Sequence, residues 1–449
     1  MSRIVLTLGL VGASLAVLAE TADVVVVGGG VAGVAASLQS ARAGARTVLV
    51  EQGFQVGGTM TSGGVNFPGL FHAWGNQVID GCAYALVTNC VALAGGRLPD
   101  FRKPVGKAHY NHQIRINIPL YVALAEESLR AAGVKILYHT SPIALESLGP
   151  KGWRLQLAGL SESWSLEAAQ IVDCTGNAAV AALAGFERVR SDERQPGSFV
   201  YTLDLGCDVR DLDEKALNEA YAQALRDGRL QPKDARWGIM PLLRAKGGTA
   251  NYVVEADNST VAARTETNLR GRSSMLRIFR FIKSQKGLEK ATLVSMSPEV
   301  GVRETYRIKG EYTITGDDYV SGRTYPDALC HAFYPVDLHR KEDGVHPQHL
   351  QAPCVPTVPL RALVPAGSRN LLVAGRAVSS DRAANSGLRV EAACMAMGQV
   401  AGEAAAMAAQ VGKSPLELSL SELKARLVKS GAIVPSLSGC QNTSSEVEK

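Results

Sequence analysis

The sequence lacks a strong excess of charge of either sign. Its 449 residues include 47 Lys and Arg against 42 Asp and Glu, a formal net charge of +5, and no window gathers the basic residues into a stripe. This balance argues against nucleic acid as a partner. With 46% hydrophobic and 20% charged residues, the composition is that of an ordinary globular protein. It excludes disordered, collagen-like and coiled-coil chains.

Cysteine motifs are also missing. None of the eight cysteines belongs to a C-x-x-C motif, so the sequence indicates neither a dithiol redox centre nor a zinc knuckle. In an oxidising compartment, two pairs of cysteines are candidates for disulfides, Cys82–Cys90 and Cys330–Cys354. Cys174 follows an apolar strand and Cys394 lies in a small-residue helix, so both are predicted to be buried free thiols.

Long apolar runs are absent except at the N-terminus. There a basic residue precedes an apolar run from Ile4 to Leu18, and small residues precede a possible cleavage point after Ala19. This pattern is typical of a secretory signal peptide, and the run is too short to span a bilayer comfortably. We therefore expect residues 1–19 to be removed on export, leaving a mature chain without stable membrane insertion. The alternative is a cytoplasmic protein with an apolar N-terminal strand.

A glycine-rich turn follows this segment. The run Val24–Val27 predicts a strand buried on both faces, and the G-x-G-x-x-G motif Gly28–Gly33 leads from it into a predicted helix. In such a motif the glycines permit a tight turn, a close approach to a pyrophosphate and close packing of helix on strand. The helix N-terminus then favours the phosphates.

An acidic residue completes the unit. Glu51 ends the second predicted strand, Thr47–Val50, where its carboxylate can accept hydrogen bonds from ribose hydroxyls. Strand, glycines, helix, strand and acid together predict a dinucleotide site. Its predicted contacts are Gly28, Gly30, Val31, Ala32, Gly33, Glu51 and Gln52.

Further small residues follow in three stretches, Gly57–Gly64, Ile171–Asn177 and Asn370–Arg376. The last two read as a strand that ends in a glycine turn. Backbone of this kind lets a long, flat cofactor come close. The predicted contacts are Gly58, Thr59, Thr61, Ser62, Gly63, Gly176, Gly375 and Arg376.

A small-residue helix is predicted over Ala392–Ala409, directly after the segment Ser386–Arg389. Ser386 and Arg389 are predicted cofactor contacts. The helix contains Gly398 and Gly402, which suit close packing against the sheet or the cofactor.

In this order the motifs resemble the FAD-dependent oxidoreductase family with the two-dinucleotide-binding fold of the glutathione reductase type. The similar branch carries G-G-x-x-T-S-G-G, R-E-T-x-R-I-x-G-E-Y-x-[IL]-T and N-L-L-V-A-G-R, which correspond here to Gly57–Gly64, Arg303–Thr315 and Asn370–Arg376. The resemblance covers about residues 23–410. It implies FAD as cofactor, although most members have Asp where this chain has Asn177.

The resemblance also implies a fold and a domain division. The fold class is α/β, with a Rossmann-like FAD-binding domain and an inserted α+β substrate or cap domain. The FAD-binding domain is expected to be discontinuous, over residues 23–71, 121–190 and 364–412. The cap is expected over residues 191–363, and residues 436–449 form a loose tail.

The catalytic prediction rests on a few polar residues, because the flavin supplies the hydride chemistry and the protein supplies orientation, charge and a proton. His339 is the first choice for acid or base and Tyr334 the second. Arg303 is predicted to clamp a substrate carboxylate, or else to form a structural ion pair with Glu304. Arg389 is predicted to stabilise reduced flavin, with an inter-domain salt bridge as the alternative.

Other histidines carry less weight. His72, His109 and His112 are further candidates for acid or base. No metal site is predicted, because the histidines near His339 sit in a proline-containing loop without acidic partners at ligand spacing.

The chain has no second G-x-G-x-x-G unit, which argues against an NAD(P)H domain. A small-molecule substrate is therefore expected to exchange a hydride with FAD directly, with oxygen or another small acceptor as its counterpart. The alternatives are an NAD(P)-dependent dehydrogenase and a non-catalytic flavin-binding protein.

Overall fold

The computed structural model describes residues 20–103, 108–235, 237–245, 249–340, 344–345 and 347–436. The predicted signal peptide and all but the first residue of the predicted tail lie outside these ranges. Within them, no helix combines the length and the apolarity that a bilayer crossing needs.

The strands, in chain order, are β1 (Glu20–Val27), β2 (Thr47–Val50), β3 (His72–Ala73), β4 (Asn76–Gln77), β5 (Lys135–Leu137), β6 (Ser141–Ser147), β7 (Trp153–Gly159), β8 (Glu162–Asp173), β9 (Arg188–Val189), β10 (Gly197–Asp204), β11 (Thr249–Val253), β12 (Thr292–Met296), β13 (Arg307–Ile308), β14 (Ala328–His331), β15 (His339–Arg340), β16 (Gly344–Val345), β17 (Thr357–Pro359) and β18 (Leu371–Val373). The helices are α1 (Val31–Arg42), α2 (Cys82–Leu93), α3 (Ile118–Ala131), α4 (Ala179–Leu183), α5 (Glu214–Arg226), α6 (Ile239–Leu243), α7 (Val261–Lys283), α8 (Gly316–Val320), α9 (Arg382–Leu388), α10 (Glu391–Val411) and α11 (Leu420–Lys429).

The larger sheet has seven strands among the described residues, in the order β5-β2-β1-β8-β7-β6, with β18 also paired to β8. Strands β1, β2, β5, β8 and β18 are parallel, whereas β7 is antiparallel to both of its neighbours. Val27 lies opposite Asp173, so the predicted strands before the first glycine turn and before Gly176 end side by side. This arrangement confirms the α/β class with a Rossmann-like parallel core.

Helix α1 is buried from Val31 to Ser40, because it packs against both the sheet and α10. The contact with α10 depends on glycine. A Cβ added to Gly398 would lie 2.1 Å from the carbonyl oxygen of Ala32, and one added to Gly402 would lie 2.3 Å from that of Ala36. The prediction that these glycines pack on the sheet or the cofactor is therefore wrong, since their close neighbours belong to α1.

A smaller antiparallel sheet, β11-β10-β12, lies between β8 and β18 in the chain. Helices α5, α6 and α7 accompany it, and their apolar side chains form a second core, which extends from Phe199 to Val302. Sheet and helices together are the inserted α+β domain that the resemblance implies.

The second core does not extend over the whole predicted cap. A separate core, in which α1 and α10 pack on the larger sheet, includes side chains between Ile314 and Leu363. The domain limits drawn from the sequence stay a prediction. Apolar packing nevertheless joins described residues of the segment between Ile314 and Leu363 to the larger sheet.

Three of the four cysteines in the two candidate disulfides are buried free thiols. These are Cys82, Cys90 and Cys330, so neither pair is bonded. The predicted burial of Cys174 and Cys394 as free thiols is confirmed.

Candidate active site

A cavity of about 1480 Å³ lies between the carboxyl ends of the parallel strands and the inserted domain. Pockets for drug-sized ligands measure roughly 300–1,000 Å³, so this cavity has room for a dinucleotide and a second molecule. Most of the predicted site residues line it: Gly28, Gly30, Val31, Ala32, Glu51, Gln52, Gly58, Thr59, Thr61, Ser62, Gly63, Gly176, Arg303, Tyr334, His339, Gly375, Arg376 and Arg389.

Two predicted residues, Gly33 and Ser386, are not among those that line the cavity. A Cβ on Gly33 would lie 1.8 Å from the carbonyl oxygen of Gly28, so this glycine lets α1 start directly against the turn. The hydroxyl of Ser386 accepts a hydrogen bond from the backbone N–H of Asp337 at 3.0 Å. Each residue therefore contacts a residue that lines the cavity, Gly28 or Asp337, without lining it directly.

The first glycine turn has the shape that a diphosphate needs. Gly28 has φ +100°, and a Cβ there would lie 2.5 Å from the carbonyl oxygen of Cys174. A Cβ on Gly30 would meet no atom within 4 Å, and no side chain caps the N-terminus of α1. The first N–H groups of the helix therefore face open space, and helix N-termini of this kind bind phosphate.

Glu51 is held rigidly at the end of β2. Its Oε2 accepts from the N–H of Gly29 at 2.5 Å and its Oε1 from the N–H of Gly53 at 2.6 Å. Burial raises the pKa of the carboxyl, and the two N–H groups act in the opposite direction. Each oxygen keeps a second lone pair, so the side chain still has capacity for ribose hydroxyls.

The second glycine stretch packs directly on the first. Gly57 forms a parallel bridge with Gly30, and a Cβ on Gly58 would lie 3.0 Å from the Cα of Gly30. Gly57 and Gly58 both have positive φ, +101° and +54°, and the Thr61 hydroxyl fastens the turn by donating to the Val56 carbonyl at 2.6 Å. The two stretches therefore form one site.

Arg376 joins the strand ends beneath the cavity. Its Nε donates to the carbonyl of Gly176 at 2.7 Å, and its Nη1 donates to the carbonyl of Val302 at 2.8 Å and to the Thr59 hydroxyl at 3.3 Å. Burial lowers the pKa of its guanidinium to about 10. The predicted cofactor contact thus also links segments from both domains.

These residues fit FAD. Gly30 and the N-terminus of α1 would hold the diphosphate and Glu51 would hold the ribose. The glycine-rich wall at Gly58 and Gly375 would let a flat ring system approach the backbone.

The other end of the cavity carries a chain of hydrogen bonds centred on His339. Its Nε2 lies 2.8 Å from Oδ2 of Asp337, and its Nδ1 lies 2.6 Å from the hydroxyl oxygen of Tyr252. Burial and the nearby Arg303 lower the pKa of His339 to about 3. The ring is therefore neutral, with Nε2–H donating to the carboxylate and the tyrosine hydroxyl donating to Nδ1.

Sequence reasoning missed Tyr252 and Asp337 as site residues. Tyr252 lies in β11, and no motif there distinguishes it from a core tyrosine. Asp337 stands in the Tyr334–His339 segment, between the two residues that the sequence predicts as acid or base. Hydrogen bonds from His339 and the charge of Arg389 hold its pKa below the ordinary value against the effect of burial.

Arg303 approaches from the inserted domain. Its guanidinium donates to the carbonyl of Pro196 and, at 3.0 Å, to the hydroxyl of Ser198, and it lies 5.4 Å from the ring centre of Tyr252. Glu304 forms its ion pair with Arg382 at 3.3 Å. The alternative of an Arg303–Glu304 ion pair is therefore wrong, and Arg303 lines the cavity.

Arg389 pairs with the carboxylate of Asp337 at 3.3 Å and donates to the Asp337 carbonyl at 3.1 Å. Arg389 therefore forms a salt bridge, and whether this bridge joins two domains stays a prediction, because it depends on the domain limits. Arg389 also lines the cavity, and its role toward flavin stays a prediction.

Tyr334 presents its hydroxyl to the same end. The hydroxyl accepts from Nε2 of Gln113 at 2.9 Å. Burial and the charge of Asp337 raise its pKa to about 12, so the phenol keeps its proton at neutral pH and can act as a donor.

The other candidate histidines have separate roles. His72 stacks on Phe101 with ring centres 3.7 Å apart, and His112 lies at the edge of the same phenyl ring. His109 lines the cavity and contacts the ring of Tyr334. His346, near the discounted metal site, lies outside the described residues.

Glu391, the first residue of α10, is a further lining residue without a sequence signal. It is 8% exposed, and neither carboxyl oxygen has a hydrogen-bond partner among the described residues. Burial raises its pKa well above the ordinary value. Burial therefore disfavours ionisation of this carboxyl group, and the charge of Arg389 acts in the opposite direction.

A model of the FAD dependent oxidoreductase family matches residues 23–427. No curated protein matches the chain significantly.

Three solved structures illustrate the structural similarity. One is a geranylgeranyl bacteriochlorophyll reductase-like protein from Thermoplasma acidophilum, 11% identical, with a TM-score of 0.40 over 92% of this chain and 84% of that one. A second is an aromatic hydroxylase from angucycline biosynthesis, 15% identical, with a TM-score of 0.43 over 91% and 66% of the two chains. The third is p-nitrophenol 4-monooxygenase from Pseudomonas putida, 13% identical, with a TM-score of 0.41 over 92% and 85%.

Proposed function

Because this chain belongs to the FAD dependent oxidoreductase family, we propose that it oxidises or reduces a small organic substrate by hydride transfer to or from FAD, with oxygen or another small acceptor completing the cycle. When bound, the flavin supplies the hydride chemistry. One observation carries the proposal. A single cavity extends from the dinucleotide turn at Gly30 and Glu51 to the polar cluster of Arg303, Tyr334 and His339.

In this proposal the polar cluster positions a substrate and supplies a proton. Tyr334 is the better proton donor, because its hydroxyl lines the cavity and retains its proton. His339 has both ring nitrogens engaged, by Asp337 and Tyr252. It is therefore assigned to orienting these two side chains rather than to direct exchange with substrate.

The inserted domain forms one wall of the cavity. Tyr201, Leu242 and Met296 line it on that side. In this proposal a substrate bound against that wall displaces water, which strengthens the electrostatic contacts inside and protects a reactive centre from side reactions.

The test is a screen of small organic compounds against FAD-loaded protein in the absence of oxygen, followed by the absorbance of the bound flavin. Bleaching by one class of compound, with recovery of the colour when oxygen is admitted, is the expected result. Rapid bleaching by NADPH alone would contradict direct reduction by substrate. A flavin-free protein that takes up NAD would favour the dehydrogenase alternative, and a loaded protein that no compound bleaches would favour a non-catalytic role.

We also propose that the protein is exported. The proposal rests on the basic start, the apolar run from Ile4 to Leu18 and the small residues before Ala19. Expression of the full chain with N-terminal sequencing of the product tests it. A mature N-terminus near residue 20 outside the cytoplasm is expected, and an intact cytoplasmic chain would contradict export.

A further inference from the structure

The inserted domain contributes an ion pair to the wall of the cavity. Arg264 lies near the start of α7, and its guanidinium donates to the carboxylate of Glu299. Both residues line the cavity. Their side chains are partly exposed, 28% for the arginine and 34% for the glutamate. A ligand in the cavity can therefore reach both groups.

This ion pair lies beside the second glycine stretch. The backbone N–H of Glu299 donates to the carbonyl of Ser62 at 3.1 Å. Close by, a Cβ on Gly63 would lie 3.1 Å from the Cα of Gly301. The same stretch packs on Gly30, at the turn that fits a diphosphate. A segment after β12 thus brings the carboxylate, and with it the guanidinium, to the dinucleotide end of the cavity.

Electrostatic effects agree with this position. The charge of Arg264 acts to lower the pKa of the Glu51 carboxyl and of the Arg376 guanidinium, whereas the charge of Glu299 acts to raise both. Glu51 and Arg376 are both predicted contacts of the cofactor. The ion pair therefore lies within electrostatic range of two residues of the cofactor site.

The arginine of this pair keeps donors that the described residues do not use. The side chain of Arg264 bonds to Glu299 alone among them, and a guanidinium has five N–H groups. Arg376 differs, because it is buried and its donors are engaged by protein oxygens, such as the carbonyls of Gly176 and Val302. Arg264 is therefore the better placed of the two to bind an anion, and its planar fork suits phosphate oxygens.

We propose that Arg264 binds the diphosphate of FAD, so that the inserted domain shares the cofactor site with the N-terminus of α1. The inference needs FAD as the cofactor and does not depend on the reaction proposed above. Glu299 then competes with the diphosphate for the guanidinium. The other interpretation is a structural ion pair that ties α7 to the segment around Glu299. The two interpretations predict opposite results when the glutamate is replaced.

The first variant removes the arginine. Arg264→Met is expected to weaken the binding of FAD and of ADP by about tenfold or more, because a charge-assisted contact with phosphate is lost. ADP carries the diphosphate without the flavin, so it reports on this end of the cavity. Calorimetric titration of the full-length apoprotein measures both Kd values. Arg280→Met is the matched control, since Arg280 is exposed near the other end of α7 and is not among the lining residues.

The second variant removes the competitor. Glu299→Gln is expected to tighten the binding of FAD and of ADP by up to about fivefold, because the guanidinium no longer has to leave an ion pair. A structural ion pair predicts weaker binding instead, since the loss of either partner breaks the same contact. Arg264→Lys is expected to keep part of the affinity, because it retains the charge without the fork.

Salt dependence identifies an ionic contact. The affinity of the wild type for ADP should fall as sodium chloride is raised from about 0.05 M to about 0.5 M, because mobile ions screen the charges. The affinity of Arg264→Met should fall less steeply. Equal slopes for the two proteins would contradict a contact between this arginine and the diphosphate.

The remaining outcomes also decide between the interpretations. Weaker binding of FAD and ADP in both Glu299→Gln and Arg264→Met would overturn the inference in favour of a structural ion pair. Unchanged Kd values in Arg264→Met would overturn it as well, and a loss for FAD without a loss for ADP would place the arginine at the flavin. If Arg264→Met does not fold, the direction of the change in Glu299→Gln decides. None of these titrations measures turnover, so the proposed reaction is tested separately by the anaerobic screen.

Discussion

The Nε2 atom of His339 lies 2.8 Å from Oδ2 of Asp337, in a contact where the carboxylate is charged and the imidazole is neutral. An opposite charge ordinarily raises the pKa of a histidine. Here burial and Arg303 lower the pKa of His339 by more than the carboxylate of Asp337 raises it. Arg389 supplies the positive charge that Asp337 needs. The contact is therefore a hydrogen bond from one fixed tautomer of a neutral imidazole rather than an ion pair. Because the folded protein keeps His339 neutral, its stability should depend on acid.

The free energy of unfolding should therefore fall as the pH drops below 6.5. The unfolded chain protonates His339 near its ordinary pKa of 6.5, whereas the folded protein resists protonation down to about pH 3. Between these values the unfolded state binds one more proton, at a cost of about 1.4 kcal/mol of stability per pH unit. Urea unfolding at pH 6 and pH 5 measures the slope. His339→Gln is expected to reduce it, and an unchanged slope in that variant would contradict a neutral His339.

The glycine turn offers a matched pair of substitutions. Gly30→Ala adds a methyl group in open space at an extended backbone conformation, φ −62° and ψ 178°. It should fold with an unchanged Tm as apoprotein and bind FAD about tenfold or more weakly, because the methyl group occupies the approach to the diphosphate.

Gly33→Ala should behave in the opposite way. Its methyl group would collide with the carbonyl oxygen of Gly28, so the fold itself should lose about 1–3 kcal/mol or more. Thermal unfolding of both apoproteins, followed by FAD titration, distinguishes the two effects. Equal stability of the two variants would show that the turn adapts to either methyl group.

Local motifs made the dinucleotide half of the site predictable. The requirements of Gly28, Gly33 and Glu51 all arise within one strand–helix–strand unit, where the order of residues fixes the geometry. The glycines at 57 and 58 could be predicted for the same reason, since glycine is the residue that a left-handed backbone favours.

The polar end could not be predicted in the same way. Tyr252 and His339 meet because the packing of separate cores brings β11 and β15 together. No local sequence pattern predicts that contact. The imidazole makes His339 a candidate acid or base, but whether a histidine exchanges protons with a substrate depends on what surrounds both ring nitrogens. The sequence does not reveal the partner of Gly398 and Gly402, because α1 lies at the other end of the chain.

The contact between α1 and α10 provides a test of that packing. In Gly398→Ala the methyl group would lie 2.1 Å from a backbone oxygen of Ala32, which cannot move aside as a flexible side chain could. A loss of about 1–3 kcal/mol or more is expected, since overpacking forces the backbone to shift. Ala401→Ser on the same helix is the control for a general effect of substitution. A wild-type Tm for Gly398→Ala would contradict close packing of the two helices.

The contribution of Glu391 to stability should have the opposite pH dependence. Its carboxyl is buried, without a hydrogen-bond partner among the described residues, and burial raises its pKa well above 4.5. The folded state therefore keeps a proton that the unfolded state releases. Stability attributable to this group should decline as the pH rises above 4.5, by about 1.4 kcal/mol per unit until the folded-state pKa is reached.

Glu391→Gln keeps the shape and removes the titration. The variant should be more stable than the wild type at pH 8, and its stability should depend less on pH between 5 and 8. Chemical denaturation of the apoprotein across this range is the measurement, because it leaves out any contribution of bound FAD. Glu162→Gln, at an exposed position on β8, serves as the control and should follow the wild type. If Glu391→Gln is instead less stable at pH 8, the carboxyl is ionised in the folded state. A cation or hydrogen-bond donor must then stabilise it.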